Sequence, residues 1–114
     1  MEIGIRTRGV ERSDNLTQML QRSIEFAVDR YRNRIVRISV YITDVNGPRG
    51  GEDKQCQITA SLRGARPVII LEKGGDLMAV VNQAAHRLGY HIGRRVHRLR
   101  TANAPEHRRT IRAA

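Results

Sequence analysis

The 114-residue chain has no tryptophan, one phenylalanine, one cysteine and only two lysines among its 21 cationic residues. With aromatics at 4% and apolar residues at 39%, a core must be built from Ile, Val, Leu and Ala. Cys56 stands alone, so no internal disulfide can form, and a reducing cytoplasm suits the chain best. Long apolar runs are also missing. "VIIL" at 68–71 is about the longest, too short to span a bilayer, and "MEIGIRTRGV" at the start lacks the apolar region of a signal peptide. A soluble protein of one domain is expected.

Acid is absent where base is densest. "RLGYHIGRRVHRLR" (87–100) holds five Arg and two His and no Asp or Glu. Residues 1–85 carry 13 Lys/Arg and 10 Asp/Glu, whereas residues 86–114 carry eight Arg and all four His against the single Glu106. A field of one sign concentrated at one end points to a polyanionic partner. Guanidinium forks onto phosphate and stacks on bases, so arginine-rich cations favour nucleic acid among such partners.

What is present reads as alternating periodicities. Ile3 and Ile5 give a short first strand. Ser13 or Asp14 can cap a helix over residues 14–32, whose apolar face runs Leu16, Met19, Leu20, Ile24, Ala27, Val28 and Tyr31. Period two then places Val36, Ile38, Val40 and Ile42 on one side of a second strand. "DVNGPRGGED" (44–53) is a hairpin loop, Cys56, Ile58, Ala60 and Leu62 face inward from a third strand, and "VIILEK" (68–73) forms a fourth. After Asp76, Leu77, Val80, Val81, Ala84, Leu88, Ile92, Val96 and Leu99 make the seam of a last helix. The order β-α-β-β-β-α predicts an α+β, two-layer sandwich: a mostly antiparallel four-stranded sheet with both helices on one face. Residues 1–100 form the predicted domain, and "TANAPEHRRTIRAA" (101–114) reads as a basic, disordered tail.

The last helix therefore has an apolar face and a cationic one. Arg87, Arg94 and Arg98 line up within a narrow arc and can track phosphates, with Tyr90, His86 and His97 placed to stack on unpaired bases. Arg95 falls near the apolar side, where its stem must snorkel or the helix outrun the sheet; Arg100 adds charge beyond it. Gly89 and Gly93 weaken the helix by roughly 1 kcal/mol each relative to Ala. Either they let a phosphate backbone come close or they only mark a weak turn.

Other chemistries find little support. His86 and His91 are about 140° apart around a helix and cannot converge on one ion, so no metal is expected. "GPRGG" lacks the Lys and Ser/Thr of a phosphate-binding loop, no motif sets a nucleophile beside a base, and Cys56 points inward. No catalysis, cofactor or small-molecule substrate is expected. A membrane-surface role would need the apolar face that the core requires. Two readings of the basic helix remain beside each other: a module docking an acidic protein partner, and a binder of structured RNA.

Over residues 1–100 the chain resembles the ribosome hibernation-promoting factors, the family that includes the ribosome-associated inhibitor called sigma-54 modulation protein. The likeness is clearest in "GGDLMAVVNQAAHRLGYHIGRR", where Asp76, Val80, Val81, Asn82, Arg87, Leu88, Arg94 and Arg98 match the family's residue types. It implies binding to ribosomal RNA of the small subunit, in the mRNA channel near the decoding centre, with the mRNA and tRNA sites occluded. By position Arg87, Arg94 and Arg98 inherit the RNA contacts. The chain departs from the pattern in "TQMLQRSIEFAVD", where Arg22 is the lone cation until Arg30, Arg32 and Arg34, and in having Met78 and Tyr90 where the family has an aromatic and a basic residue. Long family members add a dimer-forming domain; without one, a monomeric plug is expected.

Overall fold

The computed structural model describes residues 1–44 and 53–102, with side chains described as far as Leu99. The elements are β1 (Glu2–Arg8), α1 (Asp14–Val28), a 3-10 helix (Asp29–Arg34), β2 (Ile35–Asp44), β3 (Lys54–Leu62), β4 (Ala65–Gly74) and α2 (Leu77–Ala102). Residues 45–52 of the predicted hairpin loop (44–53), and residues 103–114 of the predicted tail, lie outside the described residues.

The sheet order is β1-β2-β3-β4. β1 runs parallel to β2, which obliges the chain to cross over between them, and α1 is that crossover. β2, β3 and β4 form an antiparallel meander. The β3–β4 turn is tight because Gly64 adopts φ 70°, the left-handed region where a side chain would be strained.

Alternation decides which sheet face is buried. Ile5, Ile38, Val40, Ile42, Cys56, Ile58, Ala60, Leu62, Val68 and Ile70 all lie in the core. The helices answer with Leu20, Ile24 and Val28 from α1 and Val81, Ala84, Leu88, Ile92 and Val96 from α2. Each fully buried Leu or Ile contributes on the order of 2 kcal/mol, so these two seams hold the helical layer on the sheet. The opposite face is solvated: Arg6 lies 4.9 Å from the centre of the Tyr41 ring, and Arg37 pairs with Glu2 at 3.0 Å.

Three expectations need adjusting. Val36 is exposed, and Ile35 takes the inward place, because the register slips between Ile35 and Arg37 and leaves Val36 as the extra residue of a bulge. The first helix is α-helical only to Val28 and tightens into the 3-10 helix up to Arg34. The last helix runs two residues past the predicted domain boundary, to Ala102. The N-terminus of α1 is capped as expected: the Ser13 hydroxyl accepts from the Leu16 amide at 3.1 Å.

Gly89 and Gly93 gain a reason that spacing alone did not reveal. A Cβ at Gly89 would stand 2.5 Å from the Ala27 carbonyl oxygen, and one at Gly93 would stand 2.5 Å from the Tyr31 hydroxyl. Real Cβ atoms essentially never approach within 3.0 Å, so at Gly89, where the obstacle is backbone, only glycine lets α1 lie this close to α2, whereas at Gly93 the obstacle is the end of a side chain. Ser23 Oγ bridges the same seam by donating to Asn82 Oδ1 at 3.2 Å. Gly89 sets the spacing of the helices, and Gly93 makes room for the Tyr31 side chain.

Cys56 is fully buried on β3. Burial, reinforced by the nearby Glu72 carboxylate, pushes its thiol up to about 12. At neutral pH it is an inert, small apolar side chain. Among the described residues no helix is long and apolar enough to cross a membrane, and no group of three His, Cys, Asp or Glu could hold a metal ion.

Candidate nucleic-acid interface

The 26 residues of α2 span roughly 39 Å at the usual rise per residue. Along that length, α1 and the 3-10 helix run beside it, and between them lies an open groove of about 1470 Å³. Small-molecule clefts are typically smaller and enclosed, roughly 300–1,000 Å³, so the shape suits a chain-like ligand better.

Both walls are net positive. α2 supplies His86, Tyr90, Arg94, His97 and Arg98. The facing wall supplies Arg22, Arg30 and Arg32. Five arginines thus line the groove against two carboxylates, Glu25 and Asp29, and Asp29 is already engaged by Arg32 at 3.5 Å. Arg94 is oriented by its own helix: it donates to the Tyr90 hydroxyl at 3.3 Å, and its guanidinium lies 5.8 Å from that ring's centre. Tyr90 in turn meets His91 edge to face at 5.2 Å, which leaves His91 at the border of the core.

The predicted residues divide into two sets. His86, Tyr90, Arg94, His97 and Arg98 come together in the groove. Arg87 and Arg95 turn the other way, onto β4, the edge strand of the sheet. Arg87 pairs with Glu72 at 2.5 Å and donates to the Leu71 carbonyl at 3.2 Å. Arg95 donates to the carbonyls of Arg66 and Pro67, at 2.6 and 3.2 Å. That explains how a cation sits near the apolar seam: its stem crosses the seam, and its head finds backbone oxygens of an edge strand that would otherwise need water. Arg100 lies on α2 with its side chain outside the described residues.

Sequence reasoning missed most of the facing wall. Arg30 and Arg32 were noted as cations at the end of the first helix, but nothing in local spacing shows that a 3-10 helix brings them opposite Arg94 and Arg98. Phe26 belongs to no motif and carries no charge that would mark it in the sequence. It lines the groove and is 89% exposed. The available signal was its position about 200° from Ile24 on the helical wheel, away from the seam.

The paired helices of this two-layer α+β domain hold an arginine-lined groove whose charge suits a polyanion. Residues 3–100 match the family described as Sigma 54 modulation protein / S30EA ribosomal protein, and the chain belongs to that family. Similar solved structures agree on the fold. A ribosomal subunit interface protein from Coxiella burnetii superposes with a TM-score of 0.69 at 17% identity, covering 82% of this chain and 96% of that one. The N-terminal domain of Protein Y from Thermus thermophilus gives 0.65 at 22% identity, covering 82% and 93%. No curated protein matches the chain.

Proposed function

We propose that the chain is a ribosome hibernation factor: it binds ribosomal RNA of the small subunit through the groove between its helices and blocks the mRNA/tRNA channel by occupying it. The observation that carries this reading is the ratio of five arginines to two carboxylates along one open groove, in a member of a ribosomal family. Arg94 and Arg98 neutralise phosphates from one wall, Arg22 and Arg30 from the other, and His86, Tyr90 and His97 lie among them. Arg87 and Arg95 serve the same end indirectly, by holding α2 to β4. The action is steric and electrostatic and asks for no cofactor or catalytic group. Its place is the cytoplasm, where ribosomes are, and the free protein is a monomer.

Each phosphate neutralised on single-stranded RNA lowers the slope of log affinity against log salt by roughly 0.7, so four such arginines give a slope near −3. The test is sedimentation with purified small subunits through a sucrose gradient at low and high salt. Co-migration at low salt that is lost at high salt is expected; a protein left at the top at low salt overturns the proposal. Docking to an acidic protein is a different outcome of the same work: material recovered from cells would then survive nuclease treatment.

A further inference from the structure

We infer that the groove reads unpaired RNA, with Phe26 as a stacking platform for an exposed base; the inference rests on the RNA-binding reading above. Phe26 is the single phenylalanine of the chain, yet it is 89% exposed. Leu20, Ile24 and Val28 fill the buried face of α1, and Phe26 projects from the opposite side. No neighbour in the core can take it in. Arg22 precedes it by four residues and Arg30 follows it by four, and all three line the groove. One line along the wall is therefore cation, aromatic, cation, at the spacing of successive helical turns, with Glu25 and Asp29 beside it.

Across the groove an aromatic and a cation again stand one turn apart, with His86 one turn before the ring. Tyr90 is 57% exposed and is followed one turn later by Arg94, which donates to its hydroxyl. A duplex keeps its base faces stacked inside and offers only phosphates and groove edges, so exposed rings on both walls would face nothing they can use. An unpaired strand offers phosphates to the arginines and flat base faces to the rings, and base-on-aromatic stacking tolerates any sequence. An acidic peptide would satisfy the arginines but leaves the rings without a flat partner. The pairing of charge and aromatic surface on both walls favours single-stranded RNA.

The absence of tryptophan supplies the probe. Phe26→Trp places one indole at the proposed platform, on an exposed position where folding is not at stake. The full chain is titrated with an unstructured RNA strand of about a dozen nucleotides, within the usual footprint of such grooves. The same strand carrying abasic positions and the corresponding duplex are run beside it, with anisotropy of labelled RNA reporting binding. The base-bearing strand is expected to quench the indole, and the abasic strand to bind more weakly without quenching. Phe26→Ala is expected to weaken single-strand binding roughly tenfold while leaving the salt slope unchanged, because no phosphate contact is lost.

Equal binding of the base-bearing strand by Phe26→Ala and wild type overturns the inference, as does equal quenching by the abasic strand. If the chain still travels with small subunits through its arginines, only the stacking claim fails. If it binds neither subunits nor any of the RNAs, the RNA reading fails and the stacking claim goes with it.

Discussion

Two pairs of arginines on α2 illustrate how little a side chain's identity says about its use. Arg94 and Arg98 open onto the groove, whereas Arg87 and Arg95 lie along β4, where one nitrogen of each guanidinium is engaged by Glu72 and by three backbone carbonyls in all. All four sit within three turns of one helix and carry the same charge. What separates them is what lies within reach: an edge strand with carbonyls to satisfy on one flank, and an unfilled cleft on the other. The first pair is suited to a partner, the second to the fold.

That contrast can be broken by substitution. Replacing Arg94 and Arg98 together with Ala is expected to weaken RNA binding by at least about hundredfold near physiological salt, since each phosphate contact is a charge-assisted hydrogen bond worth about 1.5–3 kcal/mol. Thermal stability should stay within about 0.5 kcal/mol of wild type, because both sites are exposed surface. Binding isotherms and denaturant melts of the same preparation check both halves.

The groove itself depends on the glycines. Helix propensity alone says that Gly89→Ala stabilises by about 1 kcal/mol. Here the added methyl meets the Ala27 carbonyl, a backbone atom that cannot swing aside, so a net loss of about 1–3 kcal/mol is expected in urea unfolding. Gly93→Ala should lose less, because the Tyr31 hydroxyl is the end of a side chain and can shift. A gain in stability at Gly89 would mean that the helices are not held this close.

Arg87→Ala sharpens the contrast from the other side. The pair with Glu72 is part-exposed, with side-chain accessibilities of 40% and 19%, so solvent screening limits its worth to about 1 kcal/mol. Unfolding should register that loss, while affinity for RNA stays within about twofold of wild type. The smallest effect concerns Cys56. Its thiol ionises at about 12 in the folded chain and near 9.0 when exposed, so the unfolded state releases the proton first. Stability is therefore undiminished below pH 9.0 and falls as pH rises towards 12, a dependence that Cys56→Ala removes.

Much of this architecture was legible in the residue pattern because burial imposes its period. Ile38, Val40 and Ile42, or Leu88, Ile92 and Val96, could hardly be arranged otherwise, and the element order with its single helical layer followed from them. The bulge that turns out Val36 was not legible, because it depends on the partner strand's register. The site was half legible. The cationic arc of α2 could be read from one helix alone, but its division into groove and edge depends on β4, which is distant in sequence. The second wall depended on Gly89 and Gly93, whose close contact with Ala27 and Tyr31 is a tertiary fact that looked, in sequence, like two weak points in a helix.

The most direct measurement sets the two arginine pairs side by side. Arg94→Ala/Arg98→Ala and Arg87→Ala/Arg95→Ala, each confirmed as folded by circular dichroism, are sedimented with purified small ribosomal subunits at low salt alongside wild type. The expected result is that wild type and the β4-facing variant travel with the subunit while the groove variant stays at the top. If the groove variant travels with the subunit and the β4-facing variant does not, the groove is not the surface that meets the ribosome.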